Sequence, residues 1–195
     1  MANLAYNYDE DIWEELLDGK VVAMSPRPSI RHYKVSSNIA DIFKRFLKGK
    51  TCTAFGDGVD VYLTKKDRVI PDAMIVCNKD IIKDKGIVGS PDLLVEVLSP
   101  STSKLDKSYK KDLYERCGVK EYWIVDIKGR SIEVYLLVNN KYELDNIYFD
   151  HTEEEIEDLK DIREEKEMKF IYEFKTSLFD DLIIDVKEVF EDIDI

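Results

Sequence analysis

Helical spacing of apolar residues recurs in four parts of the chain. In the longest of them, residues 29–50, apolar side chains fall every three or four positions from Val35 to Leu47, and this period is typical of an amphipathic helix. Gly19 and Gly118 are expected to end the first and third helices, because glycine readily adopts the left-handed conformation that closes a helix. The predicted helices are residues 9–18, 29–50, 103–117 and 151–169.

Short apolar runs bounded by glycine, proline and other turn residues predict β-strands. Residues 51–56 and 58–63 are joined by a Gly-Asp-Gly turn, so we expect them to pair as a hairpin. Residues 121–127 and 131–138 flank a Lys-Gly-Arg turn and predict a second hairpin. Further strands are predicted over residues 20–25, 70–77, 92–98 and 170–179, and residues 182–193 form either a last helix or a strand. Helices interleaved with strands indicate an α/β or α+β fold with a mixed sheet.

Two of these strands carry a carboxylate in an otherwise apolar run. Asp72 follows a proline at the start of residues 70–77, and Glu96 lies deep in residues 92–98. A lone buried carboxylate is costly, and two close carboxylates repel, so that one would normally stay protonated. A divalent cation removes this conflict. If the strands are neighbours, the pair predicts a Mg²⁺ site, with Mn²⁺ as a substitute, because Mg²⁺ binds one or two carboxylates together with water and phosphate oxygens.

The third predicted helix can bring a positive charge to these strands. Asp106, Lys110 and Tyr114 follow one another at four-residue spacing and form one stripe. A lysine beside a bound metal and a scissile phosphate can orient the attacking water and offset developing charge. Lys110 is the first candidate. Lys111, about 100° round the helix, is the alternative, and Lys107 could also contact phosphate.

Negative charge is concentrated in the last part of the chain. Residues 150–195 carry 18 acidic and 6 basic side chains, which accounts for the whole net charge of −12 at pH 7. Two segments of the remaining chain, residues 25–50 and 101–120, are basic. The total charge argues against a nucleic-acid partner, whereas the basic segments leave contacts with DNA phosphates open. Charge alone favours ordinary solvent-exposed helix faces.

Length and cysteine use indicate one domain in a reducing compartment. The 195 residues suit a single domain with a sizeable core. No apolar run approaches the roughly 20 residues that span a bilayer, and the N-terminus lacks the features of a signal peptide. Cys52, Cys77 and Cys117 form no closely spaced pair and are odd in number. We therefore expect no disulfide framework or zinc knuckle, and a cytoplasmic protein.

The ordered motifs of the chain resemble a known family. Pro71-Asp72, EVLSPST at residues 96–102, the Asp106, Lys110 and Tyr114 stripe and GVKEYWIVD at residues 118–126 are the residues that carry the resemblance. They resemble the Uma2 family, which is classed as endonucleases within the PD-(D/E)XK superfamily and its restriction-endonuclease-like fold. WEELLDGKVVAMSP near the start and TSLFDDLIIDVKEVF near the end also resemble this family, so the resemblance covers nearly the whole chain.

The resemblance implies a fold and a domain organisation. The expected core is restriction-endonuclease-like, with a central mixed β-sheet flanked by helices. Residues 1–195 are expected to form one nuclease-like domain, in which residues 151–169 add a charged, acidic helical segment.

The resemblance also implies roles for individual residues. The implied site residues are Asp72, Glu96, Val97, Lys110, Glu15 and His32. Asp72 and Glu96 would bind the metal together with the Val97 carbonyl, and Lys110 would act from the helix, because Leu98 stands where the superfamily has a strand lysine. Glu15, expected on the first helix, and His32 would assist, although an exposed helix acid and a half-buried polar residue are the alternatives for these two.

Two functions follow from these expectations. The first is a Mg²⁺-dependent endonuclease that hydrolyses phosphodiester bonds in DNA. The alternative is a catalytically silent member of the same fold that binds nucleic acid or protein; a small-molecule hydrolase is a weaker third reading. The chain keeps both acids and the lysine, which favours the enzyme. We expect DNA as the partner and no membrane association, while a homodimer and a protein partner for the acidic C-terminal segment stay open.

Overall fold

The computed structural model describes residues 14–23, 28–162 and 170–194. The strands in these ranges are β1 (Glu14–Leu17), β2 (Lys20–Ala23), β3 (Thr53–Gly56), β4 (Val61–Tyr62), β5 (Arg68–Val69), β6 (Ala73–Val76), β7 (Ile82–Lys83), β8 (Gly86–Val88), β9 (Leu93–Val97), β10 (Glu121–Asp126), β11 (Ser131–Val138), β12 (Lys141–Phe149), β13 (Glu173–Lys175) and β14 (Ile183–Asp185). The helices are α1 (Ile30–Leu47), α2 (Ser103–Leu105), α3 (Lys111–Cys117), α4 (Glu153–Ile162) and α5 (Val186–Val189). A π turn (Asp106–Lys110) joins α2 to α3, and a 3₁₀ turn spans Lys79–Ile81.

A six-stranded mixed sheet forms the centre of the fold, in the order β12-β11-β10-β9-β6-β3. β9 and β10 run parallel, whereas the other neighbouring strands are antiparallel. β6 and β9 are buried along their whole length, because both faces of the sheet are covered, and this explains their continuous apolar sequences. The predicted α/β class with a central mixed sheet flanked by helices is confirmed.

Helix α1 covers one face of the central sheet. Its apolar stripe, which includes Ile39 and Phe43, packs against Val95 and Trp123 and against the C-terminal elements β13, β14 and α5. Ser29 caps the helix, since its Oγ accepts a hydrogen bond from the His32 backbone N–H at 3.2 Å. We call this side of the sheet the first core.

A second sheet and helix α3 cover the opposite face. The second sheet has the order β2-β1-β5-β4-β8-β7. Leu17 and Val61 from this sheet and Tyr114 from α3 pack against Met74 and Leu94 of the central sheet. We call this side the second core, and the candidate site lies at its edge.

The helix predicted over residues 9–18 is wrong over its described part. Glu14–Leu17 is a strand that pairs with β2 and β5, and residues 9–13 lie outside the described residues. Asp18 and Gly19 both have positive φ angles, 49° and 74°, as a tight two-residue hairpin turn requires. In so short a run, the spacing of apolar residues cannot distinguish a helix from a strand in which every second residue is buried.

The pairing predicted for residues 51–56 and 58–63 is also wrong. β3 pairs with β6 in the central sheet, whereas β4 pairs with β5 and β8 in the second sheet. The Gly-Asp-Gly segment therefore carries the chain from one sheet to the other. The second predicted hairpin is confirmed as β10 and β11, and the unpredicted β12 extends it.

Cys52 and Cys77 form a disulfide in this structure, where none was expected. The physical reason lies in the register of β3 and β6. Thr53 pairs with Val76, so the cysteines that flank this pair stand opposite each other across the two strands. Cys117 is a free cysteine.

The charged segment predicted over residues 151–169 begins as a helix, α4, and residues 163–169 lie outside the described residues. Thr152 and Glu155 form a capping box, in which the Thr152 hydroxyl accepts from the Glu155 N–H and the Glu155 carboxylate accepts from the Thr152 N–H. In the described part of the chain, no helix is both long and apolar enough to cross a membrane.

Candidate active site

Asp72 and Glu96 stand opposite each other on neighbouring strands. β6 and β9 are antiparallel with Ala73 paired to Val95, so the next pair outward is Asp72 and Glu96. Side chains alternate between the faces of a strand, and Met74 and Leu94, two positions further along, both lie in the second core. The two carboxylates therefore share one face of the sheet, as the sequence analysis required for a common site.

The Asp72 carboxylate is fixed by the backbone of β9. Its Oδ2 accepts a hydrogen bond of 2.7 Å from the Val97 N–H, and the Asp72 N–H donates to the Val95 carbonyl at 3.1 Å. Its Oδ1 faces His32, whose Nε2 lies 3.6 Å away. The same Nε2 donates to the Val97 carbonyl oxygen at 2.8 Å. Asp72 Oδ1 and the Val97 carbonyl thus converge on one point.

Lys110 is held inside a cage of three carboxylates. Its Nζ lies 2.9 Å from Glu15 Oε1, 3.2 Å from Glu96 Oε1 and 3.4 Å from Asp106 Oδ1. The residue is only 1% exposed. Tyr114, one turn further along the helix, donates its hydroxyl to Glu96 Oε1 at 2.5 Å. Glu96 is therefore held by a lysine and a phenol at once.

The helix that carries Lys110 is not regular. Between α2 and α3 the chain makes the five-residue π turn, a feature that often occurs at functional sites. Its first and last residues, Asp106 and Lys110, are both buried. The two alternative lysines lie elsewhere: Lys107 Nζ is 2.6 Å from Glu133, and Lys111 Nζ lies 3.6 Å from the centre of the Tyr135 ring.

The carboxylates of the site outnumber the cation. Burial raises the pKa of Glu96 well above its ordinary value, Lys110 opposes this, and the nearby acids Asp106, Asp72 and Glu15 raise it further. Burial also raises the pKa of Asp106, against Lys110. Burial lowers the pKa of Lys110, but the surrounding carboxylates more than offset this and raise it. One lysine does not neutralise these acids.

The donor set fits a hard cation. Asp72 Oδ1 and the Val97 carbonyl are oxygen ligands directed at a point where His32 now places an N–H, and Glu96 shares their edge of the sheet. Among the described residues, no cage of three or more His, Cys, Asp or Glu side chains is arranged to hold a metal ion. Mg²⁺ needs no such cage, because it binds one or two carboxylates and keeps several water molecules. The residues therefore fit Mg²⁺ better than a metal that demands four protein ligands.

Glu15 reaches the site from a strand and not from the predicted helix. It lies on β1 and is 2% exposed, which excludes the alternative of an exposed helix acid. Its Oε1 accepts a hydrogen bond from the Ile70 N–H at 2.9 Å, in addition to the contact with Lys110. His32 is a half-buried residue of α1, and its contact with Val97 brings it to the site.

Two residues that contact Lys110 or Glu96 were not predicted to belong to the site. Asp106 and Tyr114 were singled out as members of the Lys110 stripe, but not as site residues. Their four-residue spacing was the available signal, since residues at that spacing share one helix face. Asp106 is buried, and its Oδ1 forms an ion pair with Lys110 at 3.4 Å.

Comparison with known proteins identifies a family and a relative to which the sequence is similar. The sequence matches the Uma2 family, described as "Putative restriction endonuclease", over residues 4–163. An "Uncharacterized protein slr1290" from Synechocystis sp. is 28% identical over 123 residues, which cover 62% of this chain and 64% of that protein. The match thus spans less than two thirds of that relative's length.

A solved structure supports the fold. The crystal structure of a "putative nuclease belonging to DUF820" from Anabaena variabilis superposes with a TM-score of 0.65 over 92% of this chain and 90% of that chain, at 17% sequence identity. At that identity the likeness concerns the fold, and it agrees with the predicted restriction-endonuclease-like architecture. Because the family match covers most of the sequence, this chain belongs to the Uma2 family.

Proposed function

We propose that this protein is a Mg²⁺-dependent endonuclease that hydrolyses phosphodiester bonds in DNA. The observation that carries the proposal is the shared cluster of Asp72, Glu96 and Lys110, in which buried carboxylates exceed the available positive charge. Family membership supports the reaction class. An excess of buried negative charge beside a lysine is the arrangement that a bound cation and an anionic substrate would complete.

Asp72, Glu96 and the Val97 carbonyl would hold the cation. When bound, Mg²⁺ would polarise the phosphodiester and lower the pKa of an attacking water. The Val97 N–H fixes Asp72 Oδ2 and leaves Oδ1 directed into the site. His32 donates to the Val97 carbonyl, so binding of a cation there requires the imidazole to give up that hydrogen bond.

Lys110 would act as the donor of positive charge. The raised pKa keeps its ammonium group protonated, so Lys110 is a proton donor in hydrogen bonds and not a general base. Glu15 and Asp106 hold the ammonium beside Glu96, from where it would orient water and offset charge that develops on the phosphate. Tyr114 fixes the Glu96 carboxylate through its hydroxyl.

Cleavage of supercoiled plasmid tests this proposal. Wild type should nick DNA with Mg²⁺ or Mn²⁺ and not with EDTA, and Glu96→Gln should lose about 100-fold or more in rate. Glu121→Gln is the matched control, because Glu121 is also a buried strand glutamate but binds Trp123 and Ser177 outside the site. Absence of cleavage by wild type with either metal would contradict the proposal and favour the catalytically silent alternative. Equal rates in wild type and Glu96→Gln would contradict the site assignment.

A further inference from the structure

The buried side chain of Tyr122 joins the central sheet to the π turn. Tyr122 lies on β10 and is 0% exposed. Its hydroxyl donates a hydrogen bond of 3.1 Å to the backbone carbonyl of Asp106, the first residue of the π turn. A strand of the central sheet is thus bonded directly to the segment that carries Lys110.

This bond reaches a carbonyl that a regular helix would use differently. In an α-helix the Asp106 carbonyl would accept from the Lys110 N–H, four residues further on, whereas a π turn extends that spacing by one residue. A side chain that inserts into the helical hydrogen-bond ladder is a recognised cause of local helix distortion. The Tyr122 hydroxyl gives the Asp106 carbonyl a partner outside the helix, and it therefore favours the π turn over a regular turn.

Tyr122 is placed by the same pair of strands that presents Glu96. β9 and β10 run parallel, with Leu94 opposite Tyr122 and Glu96 opposite Ile124. Tyr122, Leu94 and Ile124 all belong to the second core, so Tyr122 stands on the face of the sheet that carries the candidate site. An aromatic side chain rooted beside Glu96 therefore spans the distance from the sheet to the π turn.

The ring of Tyr122 also contacts the residue that fixes Glu96. The ring centres of Tyr114 and Tyr122 are 5.0 Å apart in an edge-to-face arrangement, and the Tyr114 hydroxyl donates to Glu96 Oε1. Burial, together with the nearby carboxylates of Glu96 and Asp106, raises the pKa of Tyr122 well above its ordinary value. Its hydroxyl therefore keeps the proton that it donates.

The π turn is also held from the second sheet. Tyr109 of the turn donates its hydroxyl to Asp67 Oδ1 at 2.5 Å, and Asp67 directly precedes β5. The same carboxylate oxygen accepts from the Asp18 N–H at 2.9 Å. The turn is thus tied to the second sheet through a side chain and to the central sheet through its backbone.

We propose that Tyr122 is a positioning residue, which holds the π turn where the Lys110 ammonium group meets Glu15 and Glu96. Lys110 is the last residue of the turn whose first carbonyl Tyr122 binds, and its Nζ lies 2.9 Å from Glu15 Oε1 and 3.2 Å from Glu96 Oε1. The consequence for catalysis rests on the proposed function, whereas the placement of the ammonium group is testable without cleavage.

The test compares wild type with Tyr122→Phe and Tyr142→Phe. The first measurement is the ¹H–¹⁵N NMR signal of the Lys110 ammonium group, which is identified with Lys110→Met and protected from exchange because Lys110 is buried. The second is the single-turnover rate of plasmid nicking, together with DNA affinity. Tyr142→Phe is the matched control, because the Tyr142 hydroxyl also donates to a backbone carbonyl, that of Val119 at 2.9 Å, outside the π turn.

We expect Tyr122→Phe to displace the ammonium signal and to lower the nicking rate about tenfold or more at unchanged DNA affinity, because small displacements of catalytic groups are costly. Tyr142→Phe should keep the wild-type signal and rate. Tyr122→p-aminophenylalanine retains a donor at the same position of the ring, and it should restore the signal and most of the rate.

Three results would overturn the inference. They are an unchanged ammonium signal in folded Tyr122→Phe, a wild-type nicking rate in that variant, and an equal change in Tyr142→Phe, which would mean that general packing of the tyrosines acts. Urea unfolding establishes that each variant is folded. Without any variant, a Tyr122 hydroxyl proton that exchanges freely with water in wild type would also overturn it.

Failure of this inference can be distinguished from failure of the proposed function. If the ammonium signal is displaced in Tyr122→Phe and unchanged in Tyr142→Phe, but wild type cleaves no DNA, the placement by Tyr122 is upheld and the nuclease function fails. If wild type cleaves DNA and Tyr122→Phe leaves the signal and the rate unchanged, the nuclease function stands and the role of Tyr122 fails.

Discussion

Glu96 illustrates what burial does to a single residue of this chain. It is 3% exposed, its pKa is raised by burial and by neighbouring acids, and Lys110 and Tyr114 both bind its Oε1. The sequence was sufficient to single it out, because an acid inside an apolar strand is costly to bury unless it has a charged or hydrogen-bonding partner. The resemblance named Glu15 as an assisting residue, but local periodicity placed it on a helix, whereas it reaches the cage from strand β1.

Asp72 should make the stability of the metal-free protein depend on pH. Burial raises its pKa from 3.8 to about 6, against the opposing effect of His32. Between these values the native state binds more protons than the unfolded state, so stability falls as pH rises through this window. The Asp72 contribution lost between pH 4 and pH 7 is about 2 kcal/mol.

Urea unfolding of wild type and Asp72→Asn at pH 4 and pH 7 in EDTA measures this contribution. The unfolding free energy of the variant minus that of wild type should be larger at pH 7 than at pH 4. At pH 7 wild type must bury an ionised Asp72 carboxylate, whereas asparagine carries no charge. Added Mg²⁺ should reduce the difference at pH 7 by stabilising the ionised carboxylate of wild type. The same difference in unfolding free energy at both pH values would show that Asp72 titrates normally.

At the scale of elements, the π turn sets how the helical segment over residues 103–117 is oriented against strands β6 and β9. It sets the relative direction of Asp106 and Lys110, which both contact the site while Lys111 turns to Tyr135. The sequence predicted one helix over residues 103–117, and its extent is confirmed. The π turn was not predicted, because the residues that stabilise it, Glu15 and Glu96, come from distant parts of the chain.

Deletion of Ser108 should remove the π turn and with it the placement of Asp106 and Lys110 at the site. Ser108 is an exposed residue of the turn, and its loss would turn the preceding helix by about 100° relative to Lys110. We expect the deletion to retain helical content by circular dichroism and to lose about 100-fold in DNA cleavage, as misplaced catalytic groups do. Ser108→Ala keeps the length of the turn and should cleave DNA like wild type. A deletion variant with wild-type cleavage would show that the turn has no role in positioning Lys110.

At the scale of the whole molecule, charge is paired across distant segments. Three cations of α1 and the residues after it bind C-terminal acids: Lys34 with Asp192 at 3.3 Å, Arg45 with Glu188 at 2.7 Å and Lys50 with Asp181 at 3.0 Å. The basic segment 25–50 and the acidic C-terminus were both predictable from the residue types along the chain, but their contact was not, because it depends on α5 packing against α1. The acidic C-terminus therefore pairs with three cations of the basic segment that was considered for DNA.

Removal of these acids should strengthen DNA binding. The triple variant Asp181→Asn, Glu188→Gln, Asp192→Asn removes the acidic partners of the three cations. Exposed ion pairs contribute about 0–1 kcal/mol each, so the fold should persist. We expect several-fold tighter binding to duplex DNA at low salt and little difference at about 1 M salt, where charges are screened.

The matched control removes the same number of negative charges from a different part of the chain. Glu153→Gln, Glu154→Gln, Glu157→Gln removes three exposed charges of α4 and should change DNA affinity less than the C-terminal triple variant. Equal gains in the two triple variants would mean that total charge, and not the pairing of these three cations, limits binding. Fluorescence anisotropy of a labelled duplex across a salt series distinguishes these results.

The nuclease proposal depends most on Lys110, and the adjacent lysine offers a direct comparison. The measurement is the single-turnover rate of plasmid nicking in Mg²⁺ by wild type, Lys110→Met and Lys111→Met, with urea unfolding to establish that each variant is folded. We predict a loss of about 100-fold or more for Lys110→Met and a rate within about twofold of wild type for Lys111→Met, which loses only a contact with Tyr135. A folded Lys110→Met variant that nicks DNA at the wild-type rate would contradict the account.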